Sequence, residues 1–464
     1  MFKNINCKNL PSLRRNIVYQ FLYELLIVFI PLFTIPYVSR VLGAENIGLF
    51  SYTYAVANYF VLFANLGIKN YGSRTIAMVR NNKEELNRNF SEILSIHIIF
   101  SIIVIFVYLV LLFFFVEDNL VIFLIQSIYV FAAVFDINWF FFGIEKFKLT
   151  VGRNTLVKIL SVFLVLVFVK TQTDLWIYAL ILALSVFVGQ SVVWFALKQY
   201  VSWRRPSWAN MKQHIRPLFV LFLPILALSL YKYMDKIMLG SISSNVQVGF
   251  YENAEKIINV PMSLIMAFGV VLMPRIANMV TSKDKGEVFK LIDMSMEAVM
   301  LLAIAISFGL AGISFVLAPI FFGYEFEECG ILIMGLAVTV PFMAFANVIR
   351  TQYLIPYKED KIFVVSLFLG AAVNLIVNII LIPYMAARGA VIGTIFAEII
   401  VCIYQSYFVR KKIFIKKYLL NTIPPILIGI VMFVFVFQIG NVMNINIVTL
   451  ILQLLVGMFI YAVG

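Results

Sequence analysis

The chain has 464 residues, of which 63% are hydrophobic and 13% are charged, and its mean hydropathy is +1.00. Soluble domains are usually about 45–50% apolar and about 25% charged, so this composition excludes a soluble globular protein and predicts a polytopic membrane protein. The net charge is +13. Most of this excess lies beside apolar segments, where membrane orientation and contact with anionic membrane lipids explain it, so no nucleic-acid partner is expected.

Fourteen apolar segments come close to the length of about 20 residues with which a helix crosses a bilayer. They lie at approximately 16–39, 47–68, 90–115, 120–143, 155–170, 175–197, 216–240, 248–273, 293–318, 331–354, 362–383, 390–409, 419–438 and 446–463. The first segment follows Arg14 and Arg15 without a cleavage motif, and we expect a membrane helix there rather than a cleaved signal. The sequence therefore predicts an all-α membrane protein of fourteen transmembrane helices.

Basic residues alternate between the connections of these segments. Thirty of the 36 Lys and Arg residues fall on the N-terminal segment and on every second connection after it. The opposite connections are short and acidic or neutral. Because basic residues mark the cytoplasmic ends of membrane helices, both termini are predicted to be cytoplasmic. The exceptions to the alternation are Arg40, Lys170, Lys232, Lys236, Lys256 and Arg388.

An internal repeat divides the chain. Gly48 and Gly249 are 201 positions apart, and so are Arg74 and Arg275. Six helices bring the chain back to its starting side, so a second half of six enters the membrane in the same orientation and forms a parallel repeat. We predict an N-terminal six-helix lobe at 1–205, a C-terminal six-helix lobe at 206–409, and helices 13 and 14 at 410–464.

Several polar residues lie inside the spans or close their ends, where they are candidates to contact an anionic headgroup. The basic candidates are four exceptions to the charge alternation, together with Arg350, which closes span 10. Two amides share a face of span 11. The set is Arg40, Lys232, Lys236, Lys256, Arg350, Asn374 and Asn378. A second interpretation stays open, in which the charges pair locally along one helix face, as the spacing of Glu252 and Lys256 permits.

Carboxylates inside the spans are candidates to carry a coupling ion, either H⁺ or Na⁺. These candidates are Glu24, Asp136, Asp235 and Glu398. No phosphate-binding loop, no nucleophile with an adjacent base and no metal-ligand cluster is present, so neither an enzyme nor a bound metal or cofactor is predicted. The two histidines, His97 and His214, stand apart from each other and are interpreted as structural or surface residues.

Two adjacent stretches resemble a known family. Residues 36–54, PYVSRVLGAENIGLFSYTY, and residues 65–77, NLGIKNYGSRTIA, are similar to the opening of the bacterial flippases that transport polysaccharide repeat units for O-antigen and capsule. These flippases belong to a superfamily that also contains multidrug antiporters and lipid II flippases. Lipid II flippases carry an arginine cluster in span 1, whereas span 1 here contains Glu24 and no arginine before Arg40, which disfavours lipid II.

The resemblance implies an activity and partners. A protein of this family is expected to move an oligosaccharide linked to undecaprenyl pyrophosphate from the inner to the outer leaflet of the bacterial plasma membrane by alternating access. A polysaccharide polymerase and glycosyltransferases are the protein partners that this activity implies. Glu24, Asp136 and Glu398 keep open the alternative of a cation-coupled multidrug antiporter. A membrane enzyme is disfavoured because the predicted outer connections are short.

Overall fold

The computed structural model describes residues 10–281 and 285–464, with side chains from residue 33 onward except at positions 147, 148, 231, 281 and 285. All regular secondary structure in these ranges is helical, as predicted. Twelve helical segments are long and apolar enough to cross a membrane, and Ile447–Val463 is apolar but shorter. A break at Gly43 divides the first long helix into two, so the described residues contain the fourteen predicted spans and the chain is a multi-pass membrane protein.

The chain forms two compact units, of which the first comprises Met1–Leu42 and Thr53–Ser229. Its core is built around Trp139, Phe140 and Phe141, which are almost fully buried. Its first helix is α1 (Leu10–Asn65), except for residues 43–52. The others are α2 (Ile68–Val79), α3 (Lys83–Phe115), α4 (Leu120–Val134), α5 (Asn138–Gly143), α6 (Phe147–Phe168), α7 (Leu175–Leu197) and the first part of α8 (Trp208–Ile242).

The second unit comprises Gly43–Tyr52 and Leu230–Gly464. After the last turns of α8, its helices are α9 (Asn245–Thr281), α10 (Lys285–Phe322), α11 (Cys329–Ala337), α12 (Thr339–Ile349), α13 (Asp360–Met385), α14 (Ala387–Val409), α15 (Ile415–Asn421), α16 (Ile423–Val442) and α17 (Ile447–Val463). Small and amide residues bring α13 and α14 together. A Cβ atom built on Gly393 of α14 would lie 2.1 Å from the Oδ1 atom of Asn378 on α13.

The segment Gly43–Tyr52 packs inside the second unit through two glycines of the internal repeat. Gly43 breaks α1 with a φ of 76°, a backbone conformation that favours glycine. The following N–H group, on Ala44, donates to the Oε1 atom of Glu325 at 2.7 Å. One turn later Gly48 meets the start of α9, where a Cβ atom on Gly48 would lie 2.8 Å from the nitrogen of Gly249. Because neither glycine has a side chain, the backbones at Gly48 and Gly249 contact each other directly.

Two predicted spans are less regular than the hydropathy pattern indicates. The fourth, predicted as one helix over 120–143, is interrupted at Phe135–Ile137 between α4 and α5. Asp136 lies in this break, and its Oδ1 atom accepts the backbone N–H of Asn138 at 3.0 Å, which satisfies a donor at the start of α5. The tenth span ends in a π-helix at Arg350–Leu354, a geometry that often occurs at functional sites.

Candidate functional site

A cluster of four charged side chains joins α8 to α9 in the second unit. Lys236 is 8% exposed, and its Nζ atom lies 2.5 Å from Glu252 and 2.8 Å from Glu255. Lys256 lies 3.1 Å from Glu252, so the ion pair expected from their spacing is present. Two ammonium groups thus face two carboxylates. Their formal charges balance, which lowers the cost of keeping Lys236 buried.

Lys232 stands apart from this cluster. Its side chain is exposed, and its Nζ atom lies 5.3 Å from the ring centroid of Tyr233. The local pairing of Lys232 with Asp235, which their spacing permits, does not occur: Asp235 is 4% exposed and accepts hydrogen bonds from other helices. Lys232 is therefore an exposed cation rather than the partner of that carboxylate.

Asp235 connects four helices through its two carboxylate oxygens. Its Oδ2 atom accepts the Tyr251 hydroxyl of α9 at 2.6 Å and the Thr394 hydroxyl of α14 at 3.0 Å. Its Oδ1 atom accepts the Nδ2 group of Asn378 of α13 at 2.6 Å. The same amide lies 3.2 Å from the Oδ1 atom of Asn374, one turn earlier on α13. The structure therefore brings Asp235 of the seventh predicted span together with Asn374 and Asn378, which share a face of the eleventh.

The oxygens around Asp235 could hold a proton or a small cation. Asp235 has no ion pair with any described side chain. The Oδ1 atom of Asn378 is buried and has no hydrogen-bond partner. A hard cation prefers carboxylate, amide and hydroxyl oxygens, all of which are present here. Among the described residues, no group of three or more His, Cys, Asp or Glu side chains is placed to hold a metal ion. The carboxylate of this site is that of Asp235.

Arg350 and Glu398 form a second polar group in the second unit. The NH2 group of Arg350 donates to the Oδ1 atom of Asn347 at 2.7 Å, and the guanidinium lies 5.4 Å from the ring centroid of Phe363. Glu398, which is 5% exposed on α14, interacts electrostatically with Arg350. Glu398 has no basic residue near it in the sequence, but the folded chain brings Arg350 close enough to interact with it.

The remaining candidates lie in the first unit. Arg40 is exposed on α1. Asp136 accepts the Nδ2 group of Asn138 at 2.7 Å, and that residue's Oδ1 atom accepts from Arg153 at 3.0 Å. Asp136 belongs to the first unit, whereas Asp235 and Glu398 belong to the second. The side chain of Glu24 lies outside those that the structure describes.

Three hydrogen-bonded side chains in the first unit, two of them buried, were not predicted from the sequence. His214 of α8 lies between Glu92 of α3 and Tyr71 of α2. The available signal was Glu92 itself, which stands in an apolar run from residue 90 onward. Glu92 lies inside the predicted third span, two residues after its start, but it was not among the carboxylate candidates.

Comparison with known proteins identifies the family. The family described as "Polysaccharide biosynthesis protein" matches residues 13–280. A relative from Shigella dysenteriae named "Putative O-antigen transporter" is 24% identical over 408 residues, which are 85% of this chain and 99% of the relative. A protein of the same name from Escherichia coli (strain K12) is 26% identical over 411 residues, 87% of this chain and 98% of the relative.

Solved structures share the fold. The lipid II flippase MurJ in an inward closed conformation has a TM-score of 0.75 at 16% identity, with 97% of each chain covered. An inward-facing multidrug resistance transporter of the MATE family has a TM-score of 0.64 at 14% identity, covering 84% of this chain and 97% of that one. At these identities the likeness concerns the fold alone. The family match covers more than half of the chain, and the chain therefore belongs to the polysaccharide biosynthesis protein family.

Proposed function

We propose that this protein flips lipid-linked oligosaccharide repeat units, carried on undecaprenyl pyrophosphate, from the inner to the outer leaflet of the bacterial plasma membrane. The observation that carries the proposal is the similarity to two proteins named as O-antigen transporters over more than four fifths of the chain. The product would feed O-antigen or capsule synthesis. A polysaccharide polymerase and glycosyltransferases would then act on the same lipid-linked unit, and the protein itself would act as a transporter rather than an enzyme.

The cationic side chains of the second unit would contact the pyrophosphate. Lys232 is exposed and offers its ammonium group directly. Lys236 and Lys256 are held by carboxylates, so a phosphate would have to compete with Glu252 for them. Charge-assisted hydrogen bonds to phosphate are strong where water is excluded. Arg350 offers a guanidinium, which can bind phosphate through two parallel hydrogen bonds.

An apolar groove in the second unit would take part of the polyprenyl chain. It has a volume of about 720 Å³ and lies among α10, α12, α14 and α16, with Phe342, Ile403 and Ile426 in its walls. Arg410 borders it, and its guanidinium lies 3.8 Å from the ring centroid of Tyr407. An apolar wall with a cation at its border suits a hydrocarbon chain that carries a phosphate.

A cation at Asp235 would couple transport to an ion gradient. The buried carboxylate of Asp235, which forms no ion pair with a described side chain, and the unpartnered Oδ1 atom of Asn378 support this part of the proposal. Whether the ion is H⁺ or Na⁺ is decided by flux measurements with each gradient alone. Asp235→Asn should abolish the dependence on the coupling ion. Glu287→Gln, an exposed carboxylate near the start of α10, is the matched control and should leave the dependence unchanged.

The function itself is tested with purified protein in vesicles. The vesicles carry a fluorescent lipid-linked oligosaccharide, and a membrane-impermeant lectin reports how much has reached the opposite leaflet. The proposal expects translocation that stops when the chain is omitted. An alternative activity, export of a small organic cation against an ion gradient, is measured in parallel. Export of the cation without movement of the lipid-linked sugar would replace the proposed function by that of a multidrug antiporter.

A further inference from the structure

The side chains of Tyr71, His214 and Glu92 form a continuous hydrogen-bonded chain inside the first unit. The Nδ1 atom of His214 lies 2.6 Å from the Tyr71 hydroxyl, and its Nε2 atom lies 2.9 Å from the Oε2 atom of Glu92. His214 is 2% exposed and Glu92 is 1% exposed, whereas Tyr71 is only partly buried. The phenol therefore lies between the imidazole and the surface of the unit.

His214 is the one described side chain placed to compensate the charge of Glu92. No described Lys or Arg side chain forms an ion pair with Glu92, and its second oxygen, Oε1, is buried without a hydrogen-bond partner. An ionised carboxylate that is buried without a counter-charge costs several kcal/mol by an order-of-magnitude estimate. A proton shared by Glu92 and His214 removes this cost, either as an imidazolium–carboxylate pair or as a carboxylic acid beside a neutral imidazole.

The geometry can accept this proton without moving a heavy atom. In a neutral imidazole, the Tyr71 hydroxyl donates to Nδ1 while the Nε2–H group donates to Glu92. When a proton is added at Nδ1, the Nδ1–H group donates to the Tyr71 oxygen and the phenolic hydrogen turns away. The distances of 2.6 Å and 2.9 Å fit both arrangements.

The charged side chains that flank Tyr71, His214 and Glu92 are exposed. The basic residues that flank them on α2, α3 and α8 have exposed side chains, and so does Glu85 of α3. Arg204, in the connection that precedes α8, pairs with Glu84 at 3.2 Å. The exposed basic residues are Lys69, Arg74, Arg88, Lys212 and Arg216. Among the described side chains, Glu92 and His214 are thus the pair that decides the charge at this buried position.

The same face of α3 holds the connection that leads into α8. Asn87 accepts the backbone N–H of Ser202 at 3.0 Å, and Ser91 accepts the backbone N–H of Arg204 at 2.9 Å. Asn87 and Ser91 are one helical turn apart on α3, and Glu92 follows Ser91 directly. The start of α8 is therefore fixed to α3 through several hydrogen bonds, of which the one between His214 and Glu92 depends on a titratable pair.

We infer that Glu92 and His214, with Tyr71 as the connection to the surface, form a proton-binding site that controls how firmly α8 is attached to α3. The ligand is a proton from the membrane side that carries the basic connections. Binding of the proton converts a buried negative charge into a compensated pair, and its release weakens the attachment. The effect on transport rests on the proposed function, whereas proton binding does not.

Proton binding is tested by nuclear magnetic resonance on the full-length protein in lipid nanodiscs, with ¹⁵N-labelled histidine. The chain has two histidines, so His97→Gln leaves His214 as the single labelled ring and His214→Gln assigns the other signal. Infrared spectroscopy on the same sample detects a protonated carboxyl group. At neutral pH we expect either an imidazolium signal from His214 or a carboxylic acid band that disappears in Glu92→Gln.

Two outcomes decide the inference. A neutral imidazole together with an ionised Glu92 at neutral pH overturns it. A change of the His214 signal in Glu92→Gln but not in Glu85→Gln, whose carboxylate is exposed on the same helix, supports it. If His97→Gln does not fold, the wild type and His214→Gln still give the His214 signal by difference.

The transport consequence has its own measurement. A single titrating site changes the population of a state by at most about tenfold per pH unit. We expect the flipping rate of the wild type to vary with pH on the basic side within this limit, and the rate of Glu92→Gln to vary much less. If proton binding is observed but both rates follow pH equally, the control of transport is refuted. If no lipid-linked sugar moves in any variant, the proposed function fails while the proton-binding site stands.

Discussion

Replacing Gly48 by alanine should separate α1 from α9 inside the second unit. A Cβ atom at Gly48 would lie 1.6 Å from the carbonyl oxygen of Asn245, whereas ordinary contact begins at 3.4 Å. To reach the ordinary contact distance of 3.4 Å from 1.6 Å, the backbones at Gly48 and Asn245 must move apart by about 1.8 Å. The obstacle is a backbone carbonyl that cannot rotate away. We therefore expect Gly48→Ala to lower the free energy of unfolding by about 3 kcal/mol, in the upper part of the range for overpacked substitutions.

The repeat-related glycine provides an internal check. A Cβ atom at Gly249 would lie 2.1 Å from the carbonyl oxygen of Ala44, so Gly249→Ala requires an opening of about 1.3 Å at the same contact. Once Gly48→Ala has forced the larger opening, the second side chain has room. The double variant should therefore cost about as much as Gly48→Ala alone, because substitutions at one contact are not additive.

The assay is thermal unfolding of the purified variants in one detergent, followed by intrinsic fluorescence and by the recovery of monodisperse protein. Gly152→Ala is the control, because a Cβ atom there meets nothing within 4 Å and the position lies inside α6. That substitution should be neutral or stabilising by up to about 1 kcal/mol, the difference between the helix propensities of alanine and glycine. If Gly48→Ala unfolds at the wild-type temperature, the backbone contact does not exist as described.

Three further perturbations probe the polar groups of the second unit and its last helix. Lys236→Met leaves Glu252 buried with one fewer positive partner, and should lower the free energy of unfolding by about 3–5 kcal/mol, as measured by chemical denaturation. Gly393→Ala places a methyl group against Asn378 and should abolish ion-dependent flux while the protein still purifies as a monodisperse peak; retained ion dependence would exclude the Asp235 site. Asn446→Ala removes the N-terminal cap of α17 and should cost about 1 kcal/mol, detected as faster proteolysis near this helix, with proteolysis elsewhere unchanged.

The spans could be predicted from sequence because hydrophobicity over about 20 residues is a local property. The same local signal cannot show where a helix breaks. The interruption at Phe135–Ile137 lies in an apolar stretch. The residue composition of the π-helix at Arg350–Leu354 does not distinguish it from an α-helix. Both depend on side-chain hydrogen bonds and packing that form only in the folded chain.

The residues of the candidate site could be chosen from sequence by their polarity and their place in the spans, but most of the contacts between them could not. The spacing of Asn374 and Asn378 indicates a shared helix face, and their side chains do touch. That Asp235 accepts from Asn378, 143 positions away, follows from tertiary packing. The electrostatic interaction of Glu398 with Arg350 likewise depends on tertiary packing. The spacing of Lys232 and Asp235 permits an ion pair along one helix, but hydroxyl and amide donors on three other helices occupy both carboxylate oxygens of Asp235.

The segment Gly43–Tyr52 makes the second unit discontinuous in the chain. These ten residues from the first part of the sequence pack beside α9, and the Ala44 N–H group donates a hydrogen bond to Glu325. A fragment that starts at Leu230 would lack this piece, and would present the backbone around Gly249 to lipid or detergent without its packing partner. Independent expression of the two sequence halves is thus expected to give an incomplete second half, and co-expression with a fragment that spans residues 43–52 should be needed to restore it. The two halves of the repeat, although similar in pattern, are not interchangeable building blocks.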